Sequence, residues 1–351
     1  MKRLPFATPI LLGAIAVIAA APAANAVVKK HPKVYTKGTT QMPGGYGRFG
    51  QTYTLNDGGP LINFTLMSAE YTVEPYNFRP GTFINSNVSN KLLVIHYRIK
   101  NPNKDDLYVS AGGLFQVVDS NNNTTNDSGD QRRLSEKVGL GIKLKPGQGF
   151  DDVIDCAVVP AHGPINKIII EMGQAGTNDR VFRYNLGTAP NVVKPLTAPF
   201  VDTSDKSGAT ALDTISAVVG KTYSAGVCSM SLDNVALQPT QIGNHPLDAN
   251  QQFLVATVTV TNLTWTSWYH SGDSLRPTLK TDDDKITSDI VVKAKHDDNY
   301  DGVSLDGGES ISERLLVTVP KDASLKTLTI RYDMGDNGQS RDFVYDVSGV
   351  K

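Results

Sequence analysis

The clearest pattern of hydrophobic and polar positions lies in the segment 93–100, where the two classes alternate. One set of alternating positions is apolar and consists of Leu93, Ile95, Tyr97 and Ile99. The intervening set consists of Val94, His96, Arg98 and Lys100. A period of two is typical of a half-buried β-strand. We expect the first set to face the core, because three members of the second set carry or can acquire a positive charge and favour contact with water.

Similar alternation recurs along the chain between turn signals. Ile62, Phe64 and Leu66 alternate with polar residues, and the segments 101–102 and 145–148 contain the Asn, Pro and Gly residues that favour turns. Long amphipathic helical patterns are absent from the sequence, whereas Gly, Asn, Asp, Ser and Thr are plentiful. Short strands with turns between them predict an all-β sandwich.

The second half of the chain repeats the first at an offset of 161 positions. Matched pairs at this offset include Leu93 with Leu254, Val94 with Val255, Asn101 with Asn262, Phe182 with Phe343, and Tyr184 with Tyr345. A self-match with so few changes of register indicates two copies of one unit. The sequence therefore predicts two tandem immunoglobulin-like β-sandwich domains, each large enough for its own core.

The ends of these units predict the domain organisation. We expect a signal peptide over 1–26, a disordered tail over 27–48, the first sandwich over 49–187, a linker over 188–217 and the second sandwich over 218–351. The signal peptide is indicated by Lys2 and Arg3, the apolar run 10–21 and the small-x-small site 24–26. The alternative is an N-terminal membrane anchor, although the run is short for a membrane span. We expect a secreted protein, extracellular or periplasmic, with no membrane span after cleavage.

Charge and cysteine content narrow the class of partner. Lys and Arg total 34 and Asp and Glu total 35, so the net charge is −1. This balance does not favour nucleic acid or a membrane surface as a partner. Only two cysteines are present, and we expect Cys156 and Cys228 to be free thiols in a monomeric protein. A single bridge between them, joining the two domains, is the alternative.

Several local motifs resemble a known group of exported domains. They are the strand Leu93–Asn101, an Asp/Asn-rich turn over 119–123, the Pro-Gly-Gln turn over 146–148 and the Val-Pro strand end over 159–160. This pattern resembles the bacterial exported immunoglobulin-like domains of the immunoprotective extracellular protein type and related uncharacterised families. The resemblance covers both copies and implies a non-enzymatic extracellular module with no shared catalytic residues. The Cys-Trp-Cys signature of antibody domains is missing.

One acidic segment matches part of a calcium-binding loop. Residues 297–302 read Asp-Asp-Asn-Tyr-Asp-Gly, in which Asp297, Asn299 and Asp301 could supply oxygen ligands. The twelfth position of such a loop is Gly308 rather than Glu, so an EF-hand is excluded. A looser Ca²⁺ site remains a hypothesis beside the alternative of a solvated acidic turn, and no other cofactor is expected.

The densest aromatic cluster follows the strand that ends at Asn262. It contains Trp265, Trp268 and Tyr269, and includes both tryptophans of the chain. Exposed aromatic side chains could stack on sugar rings or anchor a protein partner. Trp268 and Tyr269 match Leu107 and Tyr108 at the 161-residue offset, which favours a structural role, whereas Trp265 matches Lys104. The sequence therefore predicts a ligand-binding patch centred on Trp265, with Trp268 and Tyr269 beside it, and packing that covers the loop is the alternative.

Catalytic motifs are not evident in the sequence. The six histidines are scattered without metal-ligand spacing, and no Gly-x-Ser-x-Gly segment occurs. We therefore expect a non-catalytic binding or surface-interaction protein whose partner is an extracellular protein or glycan. The alternatives are a carbohydrate-binding or adhesion protein that uses the Trp265 region, with or without Ca²⁺, and a hydrolase whose site has no recognisable motif.

Overall fold

The computed structural model describes residues 44–55, 60–77, 82–83, 87–109, 114–127, 132–134, 138–139, 142–172, 180–186, 193–288, 290–296, 300, 302–333 and 339–351. The fold is all-β: in these residues the regular structure consists of β-strands and short 3₁₀ turns such as Gly272–Ser274. Within the same residues no helix is long and apolar enough to cross a membrane. The predicted signal peptide lies outside the described residues.

The strands of the first half (residues 44–194) form two main sheets. Their bounds are β1 Gly44–Tyr46, β2 Thr52–Leu55, β3 Ile62–Thr72, β4 Tyr76–Asn77, β5 Thr82–Phe83, β6 Asn90–Lys100, β7 Leu107–Val109, β8 Phe115–Asp119, β9 Thr124–Asn126, β10 Arg132–Arg133, β11 Val138–Gly139, β12 Ile142–Leu144, β13 Gly149–Pro160, β14 Ile165–Met172, β15 Arg180–Asn185 and β16 Val193–Lys194. One sheet has the order β1-β15-β14-β8-β9, and the other has the order β11-β10-β13-β6-β3-β16 with β2 paired to β3. β7 and β12 form a separate pair, as do β4 and β5.

The second half (residues 214–351) has the same plan. Its strands are β17 Thr214–Ala217, β18 Thr222–Ala225, β19 Cys228–Gln238, β20 Gln251–Asn262, β21 Trp268–His270, β22 Leu275–Thr281, β23 Lys285–Thr287, β24 Ile290–Lys293, β25 Val303–Leu305, β26 Ser310–Pro320, β27 Leu325–Asp333 and β28 Gln339–Asp346. The two main sheets are β17-β28-β27-β22-β23 and β18-β19-β20-β26-β24, and β21 pairs with β25. In both halves the first strand pairs in parallel with the last strand of its sheet, β1 with β15 and β17 with β28.

A buried asparagine at the end of β6 and of β20 shows that the repeat extends to individual hydrogen bonds. Asn101 Nδ2 donates to the carbonyl of Leu144 at 2.8 Å and to that of Asp105 at 2.9 Å. Asn262 Nδ2 donates to the carbonyls of Leu305 and Thr266, which lie at the same 161-residue offset. A side-chain amide can satisfy buried carbonyls where the strand ladder stops. Each asparagine thereby fixes the loops at one end of its half.

Burial along β6 confirms the predicted inward set and shows that one outward-facing position, Val94, is also buried. Leu93, Ile95, Tyr97 and Ile99 are buried in the main core, and Arg98 and Lys100 are exposed. Val94, predicted to face outwards, is buried in a second apolar cluster on the outer face. That cluster includes Phe83 of β5 and Ile154 of β13, so Phe83, which precedes β6 in the chain, covers this part of the sheet.

The two cysteines occupy different layers of the structure. Cys228 lies in the main core, whereas Cys156 lies in the outer cluster with Val94. Both are buried, and neither forms a disulfide in the structure. Burial raises the pKa of the Cys228 thiol well above its ordinary value, so this thiol is un-ionised at neutral pH. Cys228 therefore packs as a small apolar side chain.

The segment that joins the halves is packed against the first half. β16 pairs in parallel with β3, and Leu196, Phe200, Ala209 and Ala211 are buried. The sequence predicts a linker over 188–217 here. Contacts group residues 43–351 as one compact unit, although every sheet in the described residues takes its strands from one half. The division into two domains at the predicted boundaries stays a prediction.

Two buried cations hold this segment in place. Lys91 is fully buried, and its Nζ donates to the carbonyls of Ala161, Gly163 and Ala209. Arg341 of β28 donates from Nε to the carbonyl of Leu212 at 2.7 Å. Charged donors make strong hydrogen bonds to carbonyl oxygens. Lys91 therefore fastens the joining segment to the first half, and Arg341 fastens it to the second.

The described part of the predicted tail also contains a strand. β1, Gly44–Tyr46, lies within residues 27–48 and pairs with Val181–Arg183 of β15. This pairing is made by main-chain groups of a glycine-rich segment that has no hydrophobic period. Residues 27–43 lie outside the described residues.

Candidate functional site

The short hairpin β21–β25 presents the aromatic residues that the sequence analysis selected. Trp268 pairs with Leu305, and Tyr269 pairs with Ser304. Because side chains alternate along a strand, Trp268 and His270 turn towards the core while Tyr269 turns away from it. Tyr269 is 59% exposed, Trp268 is partly buried and His270 is buried.

A groove of about 330 Å³ opens beside this hairpin. We call it the end groove, and its lining residues are Trp268, Tyr269, Ser271, Asp273, Ser274, Arg276, Tyr332 and Asp333. They come from β21, the 3₁₀ turn, β22 and β27, which meet at the end of the second half where Asn262 closes β20. The structure therefore brings Trp268 and Tyr269 together with polar side chains that lie up to 64 positions away from Tyr269 in the sequence.

Trp268 is held in place by aromatic contacts on its core side. Its ring centroid lies 5.6 Å from that of His270 and 5.8 Å from that of Tyr332. The rings of His270 and Tyr332 are stacked, with centroids 5.9 Å apart and planes 20° apart. Contacts of this kind fix ring orientation as well as burying area. The groove face of Trp268 is therefore supported by the core.

A buried hydrogen-bond network lies behind the groove. His270 Nε2 lies 3.2 Å from each carboxylate oxygen of Glu313, and its Nδ1 lies 3.2 Å from the hydroxyl oxygen of Tyr332. The side chains of His270 and Glu313 are both fully buried. Burial raises the pKa of Tyr332, and a hydrogen bond with Ser274 opposes this only in part, so the hydroxyl stays protonated. This network supports the groove wall and leaves neither imidazole nitrogen free to act on a ligand.

Glu313 and Tyr332 were missed by sequence reasoning, although the sequence contained a signal. Glu313 is in step with Leu315 and Val317 of β26, which face the core, so an inward carboxylate was visible from the alternation. A buried carboxylate requires a partner. That partner, His270, lies 43 positions earlier, and only the fold shows that they meet.

The polar side of the groove contains one ion pair and one unpaired carboxylate. Arg276 Nε lies 3.1 Å from Asp333 Oδ2. Ser271 Oγ accepts a hydrogen bond from the backbone nitrogen of Asp273 at 3.4 Å and caps the 3₁₀ turn. Among the described residues the Asp273 carboxylate has no hydrogen-bond or ion-pair partner. The groove thus combines an aromatic surface with unused donors and acceptors.

Trp265 occupies a different position from the other two aromatic residues. It is 56% exposed and is not among the residues that line the end groove. Its backbone packs against Gly307, where an added Cβ would lie 3.1 Å from the Trp265 Cα. Trp265 is therefore exposed to solvent on the loop between β20 and β21, outside the groove itself.

The candidate calcium ligands Asp297, Asn299 and Asp301 lie outside the described residues. Their neighbours Tyr300 and Gly302 pack against β21 and the 3₁₀ turn. A Cβ on Gly272 would lie 2.2 Å from the Tyr300 carbonyl oxygen, and a Cβ on Gly302 would lie 2.5 Å from the Tyr269 hydroxyl oxygen. Among the described residues no group of three or more His, Cys, Asp or Glu could hold a metal ion. Ca²⁺ binding by this loop stays a prediction.

Other histidines have acidic partners elsewhere in the structure. His96 Nε2 lies 3.1 Å from Glu70 Oε1 on the outer face of the first half. His162 Nε2 lies 3.9 Å from Asp213 Oδ1, with both side chains exposed. The described histidine–carboxylate pairs are therefore dispersed over the molecule.

Comparisons with known proteins give no family. Neither a protein-family model nor a curated protein sequence matches the chain. An uncharacterized β-sandwich protein from Clostridium difficile 630 is similar in structure, with 12% identity, 44% of this chain and 99% of that chain covered, and a TM-score of 0.31. A putative lipoprotein from Bacillus subtilis has 19% identity, with 37% of this chain and 39% of that chain covered, and a TM-score of 0.28. A secreted serine protease, VesC from Vibrio cholerae, has 10% identity, covers 81% of this chain and 49% of that chain, and has a TM-score of 0.17.

Proposed function

We propose that this chain is a secreted, non-catalytic binding protein that contacts an extracellular macromolecule through the end groove. The observation that carries the proposal is the position of Tyr269, which is 59% exposed beside the supported ring of Trp268 and the Arg276–Asp333 ion pair. Binding sites characteristically combine a rigid aromatic surface with a few polar groups that orient the ligand.

The chemistry of the groove supports binding rather than catalysis. His270, the histidine nearest to the groove, is fully buried and both of its ring nitrogens have partners. A general base must come within hydrogen-bond reach of the proton that it removes. In this arrangement His270 holds Trp268 in place and cannot reach a ligand in the groove.

The repeat provides a matched control for a test of this proposal. Tyr108 occupies in β7 the place of Tyr269 in β21 and is exposed to a similar extent, 63%. The expressed mature chain would be applied to arrays of glycans and extracellular proteins as wild type, as Tyr269→Ala and as Tyr108→Ala. We expect Tyr269→Ala to lose about tenfold in affinity for the ligand, because a stacked aromatic side chain is lost, whereas Tyr108→Ala binds as wild type. Equal binding by all three proteins would contradict the proposal.

A further inference from the structure

We infer that the end groove recognises a neutral polyhydroxylated ligand, namely a short segment of an uncharged glycan. The inference rests on the proposed function and adds the class of ligand to it. Its basis is the particular balance of charge, hydrogen-bonding groups and aromatic surface around the groove.

Charged groups of both signs line the groove, so a charged ligand of either sign meets one group that attracts it and another that repels it. Asp273 has an unpaired carboxylate at the groove and would repel a carboxylate, sulfate or phosphate group. Arg276 lies in the same groove with a side chain that is 64% exposed, and would repel an ammonium group. A hydroxyl group both donates and accepts hydrogen bonds, so a polyol can satisfy the two side chains together.

The hydrogen-bonding capacity that remains in the groove suits a polyol. Arg276 uses its Nε towards Asp333, and within the described part of the chain its Nη groups have no partner. Asp273 offers carboxylate oxygens as acceptors. Adjacent hydroxyls on a sugar ring can accept from a guanidinium and donate to a carboxylate, which are the strong, charge-assisted kinds of hydrogen bond.

The aromatic surface and the size of the groove fit the same ligand. A sugar ring has an apolar face of C–H groups that can pack on an aromatic ring, and Trp268 presents a ring that is fixed by His270 and Tyr332. The groove volume of about 330 Å³ is at the lower end of the range for ligand sites, roughly 300–1,000 Å³. It therefore accommodates a short segment of a longer chain.

Intrinsic fluorescence can test this inference because the chain has only two tryptophans, Trp265 and Trp268. A Trp265→Phe variant leaves Trp268 as the reporter of the groove. The probes would be the neutral hexasaccharides cellohexaose, mannohexaose and N-acetylchitohexaose, the anionic hexagalacturonate, and the cationic peptide hexalysine. We expect a saturable change of fluorescence with at least one neutral hexasaccharide, at roughly tenfold lower concentration than with either charged probe.

A charge-neutral variant tests the origin of this selectivity. Asp273→Asn keeps the shape of the side chain and removes its charge, so the affinity for hexagalacturonate should rise several-fold, while the affinity for the neutral ligand should fall several-fold because a charge-assisted hydrogen bond is lost. Asp283→Asn, at an exposed carboxylate of the β22–β23 turn, is the control and should change neither affinity. Binding of a charged probe as tight as that of every neutral probe would overturn the inference.

The failure of this inference can be distinguished from failure of the proposed function. If a protein ligand from the array depends on Tyr269 and no neutral hexasaccharide changes the fluorescence of Trp268, the ligand class is wrong and the groove function stands. If no array ligand depends on Tyr269 and no hexasaccharide binds, both proposals are wrong.

Discussion

The imidazole of His270 lies 3.2 Å from both carboxylate oxygens of Glu313, and neither side chain has any exposed area. The corresponding positions of the first half are Val109, at the 161-residue offset, and Val153, which is paired with Tyr97 of β6 as Glu313 is paired with Val258 of β20. Both valines are apolar and buried. The second half therefore has a polar pair directly behind Trp268, at positions that are apolar core residues in the first half. This difference between the copies coincides with the end groove.

The His270–Glu313 pair predicts an unequal response to single and double substitution. His270→Leu should lower the free energy of unfolding by about 3–5 kcal/mol, because it leaves the Glu313 carboxylate buried without its partner. The double variant His270→Leu/Glu313→Leu should be more stable than the single variant, since neither charge remains. Chemical denaturation of the three proteins measures this, and a double variant that is less stable than His270→Leu would contradict it.

The strand pattern was predictable from the sequence because burial of one sheet face imposes a period of two. The alternation in β6 identified Leu93 and its inward neighbours correctly, and the match to β20 confirmed the register. Val94 lies on the outer face as predicted, but its burial there was not predictable, because Phe83 covers it through a tertiary contact. β1 escaped detection because main-chain pairing leaves no hydrophobic period.

The site was predictable only in part. The aromatic residues of β21 were visible as an unusual local cluster, and comparison of the copies separated Trp265 from Trp268. The polar residues of the groove, such as Arg276 and Asp333, belong to strands that pair far apart in sequence. Their proximity follows from the order of strands in the sheet, which local patterns do not determine.

Lys91 predicts a pH dependence of stability in the alkaline range. Burial lowers the pKa of Lys91 to about 8 from its ordinary value of 10.5, which applies in the unfolded chain. The nearby Asp205 carboxylate acts in the opposite direction. Between these two values the unfolded chain binds more protons than the folded chain, so the free energy of unfolding should increase with pH. The increase contributed by this group should be about 3 kcal/mol over the whole interval.

A Lys91→Met variant isolates this contribution. Its overall stability should be lower, because three carbonyl groups lose their donor. Its stability should nevertheless lack the rise between pH 8 and pH 10 that the wild type shows. Parallel denaturation curves at each pH measure the difference, and identical slopes for the two proteins would show that Lys91 is not the responsible group.

Glu70 predicts a loss of stability in acid. The pKa of Glu70 is lowered to about 2 from its ordinary value of 4.5, and the hydrogen bond with His96 is the largest cause. Burial acts in the opposite direction. A carboxyl group with a lowered pKa stabilises the fold above its unfolded value, and this contribution disappears as the pH falls from 4.5 towards 2. Glu70→Gln should therefore lose less stability than wild type over this range, by about 2 kcal/mol once the full effect of the pKa shift is reduced for the partial exposure of this carboxyl group to solvent. Thermal unfolding at a series of pH values provides the comparison, and an unchanged acid response in the variant would be evidence against it.

Gly302→Ala is predicted to weaken ligand binding in addition to lowering stability. Its φ is +132°, and a Cβ at this position would lie 2.5 Å from the Tyr269 hydroxyl oxygen. Gly302→Ala should therefore displace Tyr269 and weaken ligand binding by about tenfold, with a loss of stability of about 1–3 kcal/mol. Gly220→Ala, at φ +83° with no atom within 4 Å of the added Cβ, is the control for backbone strain alone. Equal binding by both variants would exclude a positioning role for Gly302.

Hydrogen–deuterium exchange can show whether the end groove of the second half is the ligand-binding site. The exchange of the mature chain would be measured with and without the hexasaccharide that gives the largest fluorescence change. If the ligand binds in the groove, its presence should slow exchange in peptides that contain residues 268–276 and 332–333, with no change around Tyr108. Protection in the first half, or protection confined to segments outside the groove, would contradict it.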